Sequence, residues 1–177
     1  DLVYADTSAQ LNLFENFYSN IPSQYDPNYN VNEIEVWKSI NQITADKSKI
    51  RYANCFIDLP PITTGQTYDS TYKGPLNPPI SGRSETGQFL LLQQGTDYDL
   101  HTETGYISFK TSINEQDIIA VAFKQGPGNI TYGQFLNTVQ QSDTLIVLKL
   151  VKPRNLQPGG TYTDAWRLRL KNIYPTG

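Results

Sequence analysis

The alternation of apolar and polar side chains predicts a chain built mainly from short β-strands. The clearest section covers residues 95–135, where turn-forming residues separate four apolar runs. The last two runs flank Gly126-Pro127-Gly128-Asn129, in which Gly and Asn adopt positive φ at low cost and Pro cannot donate to a ladder. Two apolar runs around such a turn indicate a hairpin. The predicted strands of this section are 98–100, 106–109, 118–123 and 130–135.

Four further strands are predicted outside this section. In the first, Val31, Glu33 and Trp37 fall on one face, together with Glu35, which is typical of a half-buried strand. The run 143–151 is apolar on both faces and predicts a central strand that is covered on both sides. These predicted strands are 31–37, 49–59 (ended by Pro60-Pro61), 88–93 and 143–151.

The two ends of the chain give weaker patterns. Residues 1–30 are rich in Asn and Tyr, and no element is assigned to them. Residues 164–174 alternate like a strand, but Asp164 could cap a short helix, and we expect the helix. The chain begins at Asp1 and contains no Met, so we expect a piece of a larger protein. Residues 1–177 are thus predicted to form a single mainly β domain, an antiparallel β-sandwich with at most one or two short helices.

A long irregular loop is predicted over residues 60–87, which contain five of the 11 prolines. A structureless connection of this length is either a mobile excursion or a contact surface. Tyr68, Tyr72 and Leu76 supply side chains of the kind that anchor interfaces. We therefore predict that the loop packs on its own domain through these three side chains and offers residues 67–73 to a partner. Deletion of 67–73 is expected to leave the isolated domain folded.

Charge and hydropathy narrow the classes of partner. The net charge is −3, and the basic excess lies after residue 140 without Gly-aromatic interleaving, so no nucleic-acid partner is expected. No apolar run approaches the ~18 residues of a membrane helix. The strands are short, uneven and often apolar on both faces, unlike strands with one lipid-facing side. We expect a domain that does not itself span a membrane.

Residues that could carry chemistry are few. Cys55 is the single cysteine and is interpreted as a buried small hydrophobe. His101 is the single histidine and lies in a polar turn, where solvent exposure is expected, so no nucleophile and base are predicted to meet. The acidic residues Asp97, Asp99 and Glu103 lack the spacing of a calcium loop. We predict no catalytic residue, no metal site and no cofactor, and hence no enzyme.

Aromatic side chains leave one alternative open. Trp37, Tyr25, Tyr29, Tyr68 and Tyr72 could stack on sugar rings. This alternative is a carbohydrate-binding β-sandwich module of a secreted or cell-surface protein. Trp37 is also an ordinary core residue for a strand, so the two interpretations compete.

Several blocks of the sequence resemble a known family. They begin with G-x-D-Y-x-L at Gly95, T-G-Y-I-S at Thr104 and an apolar block from Asp117 to Phe123. The further blocks are 31–37, 144–150 and 166–174. Their order resembles the repeated domain of the SprA-type (Sov-type) translocons, very large outer-membrane proteins of the type IX secretion and gliding-motility machinery.

The resemblance implies a non-catalytic structural and interaction domain. It would scaffold, cap or gate the protein-secretion channel, or contact cargo proteins, other domains of the translocon and secretion-system subunits. It would be associated with the outer membrane, at the cell surface or on the periplasmic face. Asp69-Ser70-Thr71 and Asp143-Thr144-Leu145 also resemble the periplasmic O-glycosylation acceptor of bacteria that carry this machinery, and Ser70, in a loop, is the candidate acceptor.

Overall fold

The computed structural model describes residues 2–4, 26–41, 46–63, 66–76, 78–139 and 145–169. They contain nine strands and two short α-helices. The strands are β1 (Leu2–Tyr4), β2 (Val31–Ser39), β3 (Ile50–Phe56), β4 (Ser84–Leu91), β5 (Tyr98–His101), β6 (Tyr106–Phe109), β7 (Ile119–Gln125), β8 (Ile130–Tyr132) and β9 (Leu145–Lys152). The helices are α1 (Ser70–Lys73) and α2 (Thr163–Arg167). The prediction of a mainly β chain with one or two short helices is confirmed for the described residues.

Five strands close into a barrel. Their order is β2-β4-β3-β9-β7, and β2 also pairs with β7, which completes the ring. The prediction of an antiparallel sandwich was therefore wrong in two respects. The sheet closes on itself, and β3 and β9 run parallel. The strand β8 extends the ladder of β7, while β1, β6 and β5 form a separate three-stranded sheet.

A bulge in β2 disturbs the predicted alternation. The register of β2 against β7 shifts between Val31 and Glu33. Val31 is consequently 1% exposed while Glu33 is solvent-exposed, so these two side chains do not share a face as predicted. Bulges of this kind increase strand bending and twist, which a small closed barrel requires.

The barrel encloses the main core. The strand registers place Trp37, Ala53, Phe89, Ala120 and Leu148 on one face, and all five are 0% exposed. Cys55 shares this face, and burial raises the pKa of its thiol well above the usual value, which confirms its interpretation as a buried small hydrophobe.

Elements outside the barrel extend this core. The β5–β6 hairpin adds Tyr98 and Ile107, and the segment around α2 adds Ala165 and Leu168. The described part of the predicted central strand, β9, is buried on both faces from Ile146 to Val151, as expected.

Three local predictions are corrected. The predicted loop 60–87 ends earlier, because β4 begins at Ser84 and Gly87 pairs with Ala53 inside it. Asp164 lies in the first turn of α2 rather than at its N-cap, which is Tyr162. His101 is half-buried at the end of β5 and stacks on Tyr106 at 3.9 Å between ring centroids, because the two face each other across the β5–β6 hairpin.

None of the helices among the described residues has the length and apolar character that crossing a membrane requires. Apart from β1 and the 3₁₀ turn Pro27–Tyr29, most of the unassigned segment 1–30 lies outside the described residues, as does Thr144.

Substitutions at two glycines distinguish the cost of backbone strain from the cost of steric crowding. Both Gly95 and Gly133 have positive φ, at 85° and 79°. A Cβ on Gly95 would meet no atom within 4 Å, whereas one on Gly133 would lie 3.0 Å from the Ala122 Cα and the Val121 carbonyl oxygen. Gly95→Ala should therefore cost about 1–2 kcal/mol of unfolding free energy. Gly133→Ala should cost a further ~1–3 kcal/mol because β7 must shift.

Urea unfolding of the two single variants beside the wild type measures the difference. Equal losses for both would show that the segment after β8 does not pack against β7 as described.

Candidate functional site

Residues 57–83, which we call the strap, connect β3 to β4 across the outside of the barrel. Leu59 and Tyr68 of the strap form a second buried cluster with Val147 of β9. Phe56 and Tyr72 pack against this cluster with their rings perpendicular, 5.2 Å apart. The described part of the strap is thus docked on its own domain through Tyr68, which is 4% exposed, and through the half-buried Tyr72. This placement agrees with the predicted use of these anchors.

The Tyr68 hydroxyl joins the strap to another part of the chain. It donates a hydrogen bond to the Pro60 carbonyl oxygen at 2.9 Å and accepts one from the Gly133 N–H at 3.0 Å. Burial raises the pKa of Tyr68 to about 12, although the Gly133 N–H opposes the shift. The hydroxyl therefore stays protonated and serves both partners.

A buried amide, Asn54 in β3, holds the middle of the strap. Its Nδ2 donates to the Tyr72 and Gly74 carbonyl oxygens at 2.9 and 2.8 Å, and its Oδ1 accepts from the Thr86 hydroxyl at 2.9 Å. Asn54 is 1% exposed, so these bonds replace the water it loses. Sequence reasoning missed this residue, although a lone amide in an apolar strand was the available signal.

The outer side of the strap is polar and exposed. Thr67, Asp69, Ser70 and Thr71 all face solvent, and the Asp69 carboxylate caps α1 by accepting from the Thr71 N–H at 2.9 Å. Ser70 lies in the first turn of α1 rather than in an irregular loop. Its exposure leaves it accessible to a modifying enzyme, and its role as an O-glycosylation acceptor stays a prediction.

The expectation that residues 67–73 can be deleted without unfolding does not fit this geometry. The deletion would remove Tyr68 and Tyr72 together with one of the two acceptors of Asn54, the Tyr72 carbonyl oxygen. Losing a buried aromatic side chain costs about 3–5 kcal/mol. A partner contact of the strap is therefore tested by changes confined to its exposed side.

The last part of the strap borders a cleft of about 400 Å³. Leu76, the third predicted anchor, is half-buried in its wall beside Tyr72 and Ile80. At its edge Arg83 pairs with Asp58, and its Nη1 lies 3.0 Å from the Asp164 Oδ2 in α2. These partly exposed ion pairs fix the position of the strap's end but add little stability.

The mouth of the barrel carries a partly buried carboxylate. Glu35 accepts from the Leu136 N–H, at 2.9 Å to Oε2 and 3.2 Å to Oε1. Burial raises the pKa of Glu35 above its ordinary value of 4.5, while the Leu136 N–H and the Trp37 side chain lower it and Glu33 adds to the rise. The Trp37 indole N–H has no well-aligned acceptor in the described chain, so its effect is weaker than a full hydrogen bond. Glu33 itself pairs with Lys124.

The other residues considered for chemistry are not brought together. Asp99 pairs with Lys110 at 3.2 Å, and the Asp97 carboxylate accepts from the Gln93 N–H at 2.7 Å. Within the described ranges, no group of three His, Cys, Asp or Glu side chains could hold a metal ion. Trp37, considered for sugar stacking, is fully buried in the barrel core and cannot reach a ligand.

No family model matches the sequence, and a search of curated proteins gives no significant match.

The bridging role of Tyr68 makes its hydroxyl important for stability. Tyr68→Phe leaves the buried Gly133 N–H without its acceptor, which should cost about 1–3 kcal/mol. Tyr52→Phe is the matched control, because Tyr52 is 45% exposed and should change stability by no more than ~0.5 kcal/mol. Denaturant unfolding measures both, and a neutral Tyr68→Phe would mean that the strap is not held by this bridge.

The raised pKa of Glu35 gives a pH dependence. The folded state binds the proton more tightly than the unfolded state, so the contribution of Glu35 to stability is full below its ordinary pKa of 4.5 and is lost as pH rises. Glu35→Gln resembles the protonated form and keeps an acceptor for the Leu136 N–H. We expect it to raise the melting temperature at pH 7 by roughly 1–2 °C, since water screens the mouth, and to have no effect near pH 3.5.

Glu103→Gln removes an exposed carboxylate from the β5–β6 turn and serves as the control, with little effect at either pH. A Glu35→Gln variant that is less stable than the wild type at pH 7 would contradict the account of the mouth.

Proposed function

We propose that this chain is a non-catalytic structural and interaction domain of a very large outer-membrane protein-secretion channel of the type IX kind. It scaffolds, caps or gates the channel, or contacts cargo and partner subunits. The observation that carries the proposal is the two-sided strap. Its inner side is tied down by Tyr68, Tyr72 and Asn54, and its outer side presents Ser70 and Thr71, which the barrel does not use.

The positions of the family-like sequence blocks support the proposal. Residues 31–37 lie in β2, 117–123 run into β7, and the described part of 144–150 lies in β9. The blocks at Gly95 and Thr104 lead into β5 and β6. The blocks therefore supply three of the five barrel strands and two strands of the adjoining sheet, whereas β3, β4 and the strap lie outside them. In many proteins a rigid scaffold positions variable loops, and those loops make the functional contacts.

The proposed setting follows from the same resemblance. The domain is associated with the outer membrane, at the cell surface or on the periplasmic face, and its partners are other domains of the translocon, secretion-system subunits and cargo proteins. It acts without a cofactor or a metal and catalyses no reaction.

A carbohydrate-binding role is the second candidate. The aromatic platforms first considered do not support it, because Trp37 and Tyr68 are buried. The cleft between the first part of the strap and the segment after β8 does, because most of its lining residues carry amide or hydroxyl groups.

Substitutions on the outer side of the strap test the proposed function. Ser70→Lys with Thr71→Lys places two charges on exposed positions and should change the melting temperature of the isolated domain by no more than ~2 °C. In the full-length protein we expect a several-fold loss of cargo secretion, because two lysines disrupt a contact formed there. Gln94→Lys with Thr96→Lys, on the exposed turn before β5, adds the same charge and should leave secretion intact.

Ser70→Ala alone separates loss of a glycan from loss of the contact, and a mass difference on the native peptide that contains Ser70 would reveal the modification. Wild-type secretion by the Lys double variant would remove the support for the strap as the contact surface.

A further inference from the structure

A cleft of about 520 Å³ lies between the strap and the segment that follows β8. We call it the mouth cleft. Seven of the eleven lining residues carry an uncharged amide or hydroxyl group, one is Lys124, and none is acidic. The absence of lining carboxylates contrasts with the net charge of −3 of the chain. The lining therefore offers many hydrogen-bonding groups, and its one charged side chain is Lys124, which pairs with Glu33.

One of these donors, Gln134, is held in place before any ligand arrives. Its backbone N–H donates to the Val147 carbonyl oxygen at 2.8 Å, and its Oε1 accepts from the Val147 N–H at 2.9 Å. Because a backbone N–H can meet only the oxygen of the carboxamide, the Nε2 group is fixed on the other side. Gln134 is 6% exposed, and its Nε2 donates to no acceptor in the described chain.

The Nε2 group is not itself enclosed, so it reaches the cleft and can donate to an acceptor there. Since Gln134 lines the mouth cleft and its oxygen is already engaged, the cleft is where that acceptor belongs. The donor is preorganised, so a ligand that satisfies it loses little entropy in the protein.

Two neighbouring residues add donors and charge. Lys124 lines the cleft, and its Nζ lies 5.0 Å from the centre of the Phe135 ring. The same Nζ forms an ion pair with the Glu33 carboxylate. The Asn129 Oδ1 accepts from the Asn32 Nδ2 at 2.8 Å, which leaves the Asn129 amide group as a donor. An acceptor-rich ligand with a negative charge fits this set.

The same lining favours a sugar over a peptide. A bound peptide needs apolar pockets for its anchor side chains, but Phe135 is 1% exposed and Ile62 is the one other large apolar side chain in the wall. Threonine hydroxyls, by contrast, both donate and accept, as sugar hydroxyls do. Thr63, Thr131 and Thr138 supply them. The volume is within the roughly 300–1,000 Å³ of small-ligand sites.

We propose that the mouth cleft binds an oligosaccharide that carries a carboxylate, such as a uronate. The Gln134 Nε2 donates to a ligand oxygen, Lys124 supplies the countercharge, and the threonines bind ring hydroxyls. This site does not depend on the proposed role in secretion, because it does not use the exposed residues of α1.

Titration of the 177-residue chain with trigalacturonate, followed by amide NMR, tests the proposal. We expect saturable shifts of the amide signals of Asn129, Gly133 and Gln134. Maltotriose, which has the hydroxyls without the carboxylates, should bind several-fold more weakly.

Gln134→Glu is the decisive variant, because its carboxylate still accepts from the Val147 N–H but replaces the amide donor with a negative charge. It should weaken trigalacturonate binding at least about tenfold. Gln94→Glu makes the same change of charge at an exposed position and should bind like the wild type. Lys124→Gln, a second variant that does not disturb Gln134, should weaken trigalacturonate binding several-fold and leave maltotriose binding unchanged.

Four results would overturn the proposal. These are no shifts at millimolar trigalacturonate, shifts that map outside the mouth cleft, unchanged binding by both the Gln134→Glu and Lys124→Gln variants, or tighter binding of an acidic tetrapeptide than of the sugar. The last result would make the cleft a protein-binding site. None of them bears on the contact surface at Ser70 and Thr71, which has its own test.

Discussion

The structure depends on β2, a strand that forms hydrogen-bonded ladders along both of its edges. From Val31 to Lys38 it pairs with β7, and at its end, from Trp37 to Ser39, it also pairs with β4. This double pairing turns a five-stranded sheet into a ring and leaves no barrel strand as an open edge where β2 closes it. Trp37 lies where the two ladders overlap, opposite Leu91 on one side and Ala120 on the other. Its complete burial follows from this position, and the small side chain of Ala120 leaves room for it.

Two buried carboxamides show how the closed barrel separates stability from binding. Asn54 and Gln134 both lie among apolar neighbours, and both hold a connection against the barrel. Asn54 uses its amide and its oxygen within the chain, so it fastens the strap. Gln134 uses its oxygen alone, so it keeps a donor for something else. A fully bonded amide rigidifies the fold, whereas the Gln134 amide group, held in place through its oxygen, can donate to a ligand in the cleft.

The local elements of this fold could be predicted from sequence, but their partners could not. Alternation located the strands, because burial of one face imposes a period of two on the side chains. Closure of the barrel depends on the pairing of β2 with β7, more than 80 residues away in sequence. It also depends on a bulge beside Asn32, which a periodic pattern of side chains does not predict. The start of β4 was missed because Gly87 and its polar neighbours resemble a turn, although Gly87 lies opposite Ala53 in the ladder. The strap anchors Tyr68 and Tyr72 were predictable as large aromatics in a polar loop, whereas a single amide such as Asn54 or Gln134 does not reveal its hydrogen-bond partners until its neighbours are known.

The central claim is that the strap is bound to the barrel by its inner side and contacts a neighbouring domain, subunit or cargo protein through its outer side. Photo-crosslinking in the full-length protein tests this most directly, with a benzophenone amino acid in place of Thr71 on the strap or of Thr96 on the turn before β5, both exposed. The account predicts a discrete crosslinked product from position 71 and none from position 96. The absence of a product from position 71, or the same products from both positions, would contradict it.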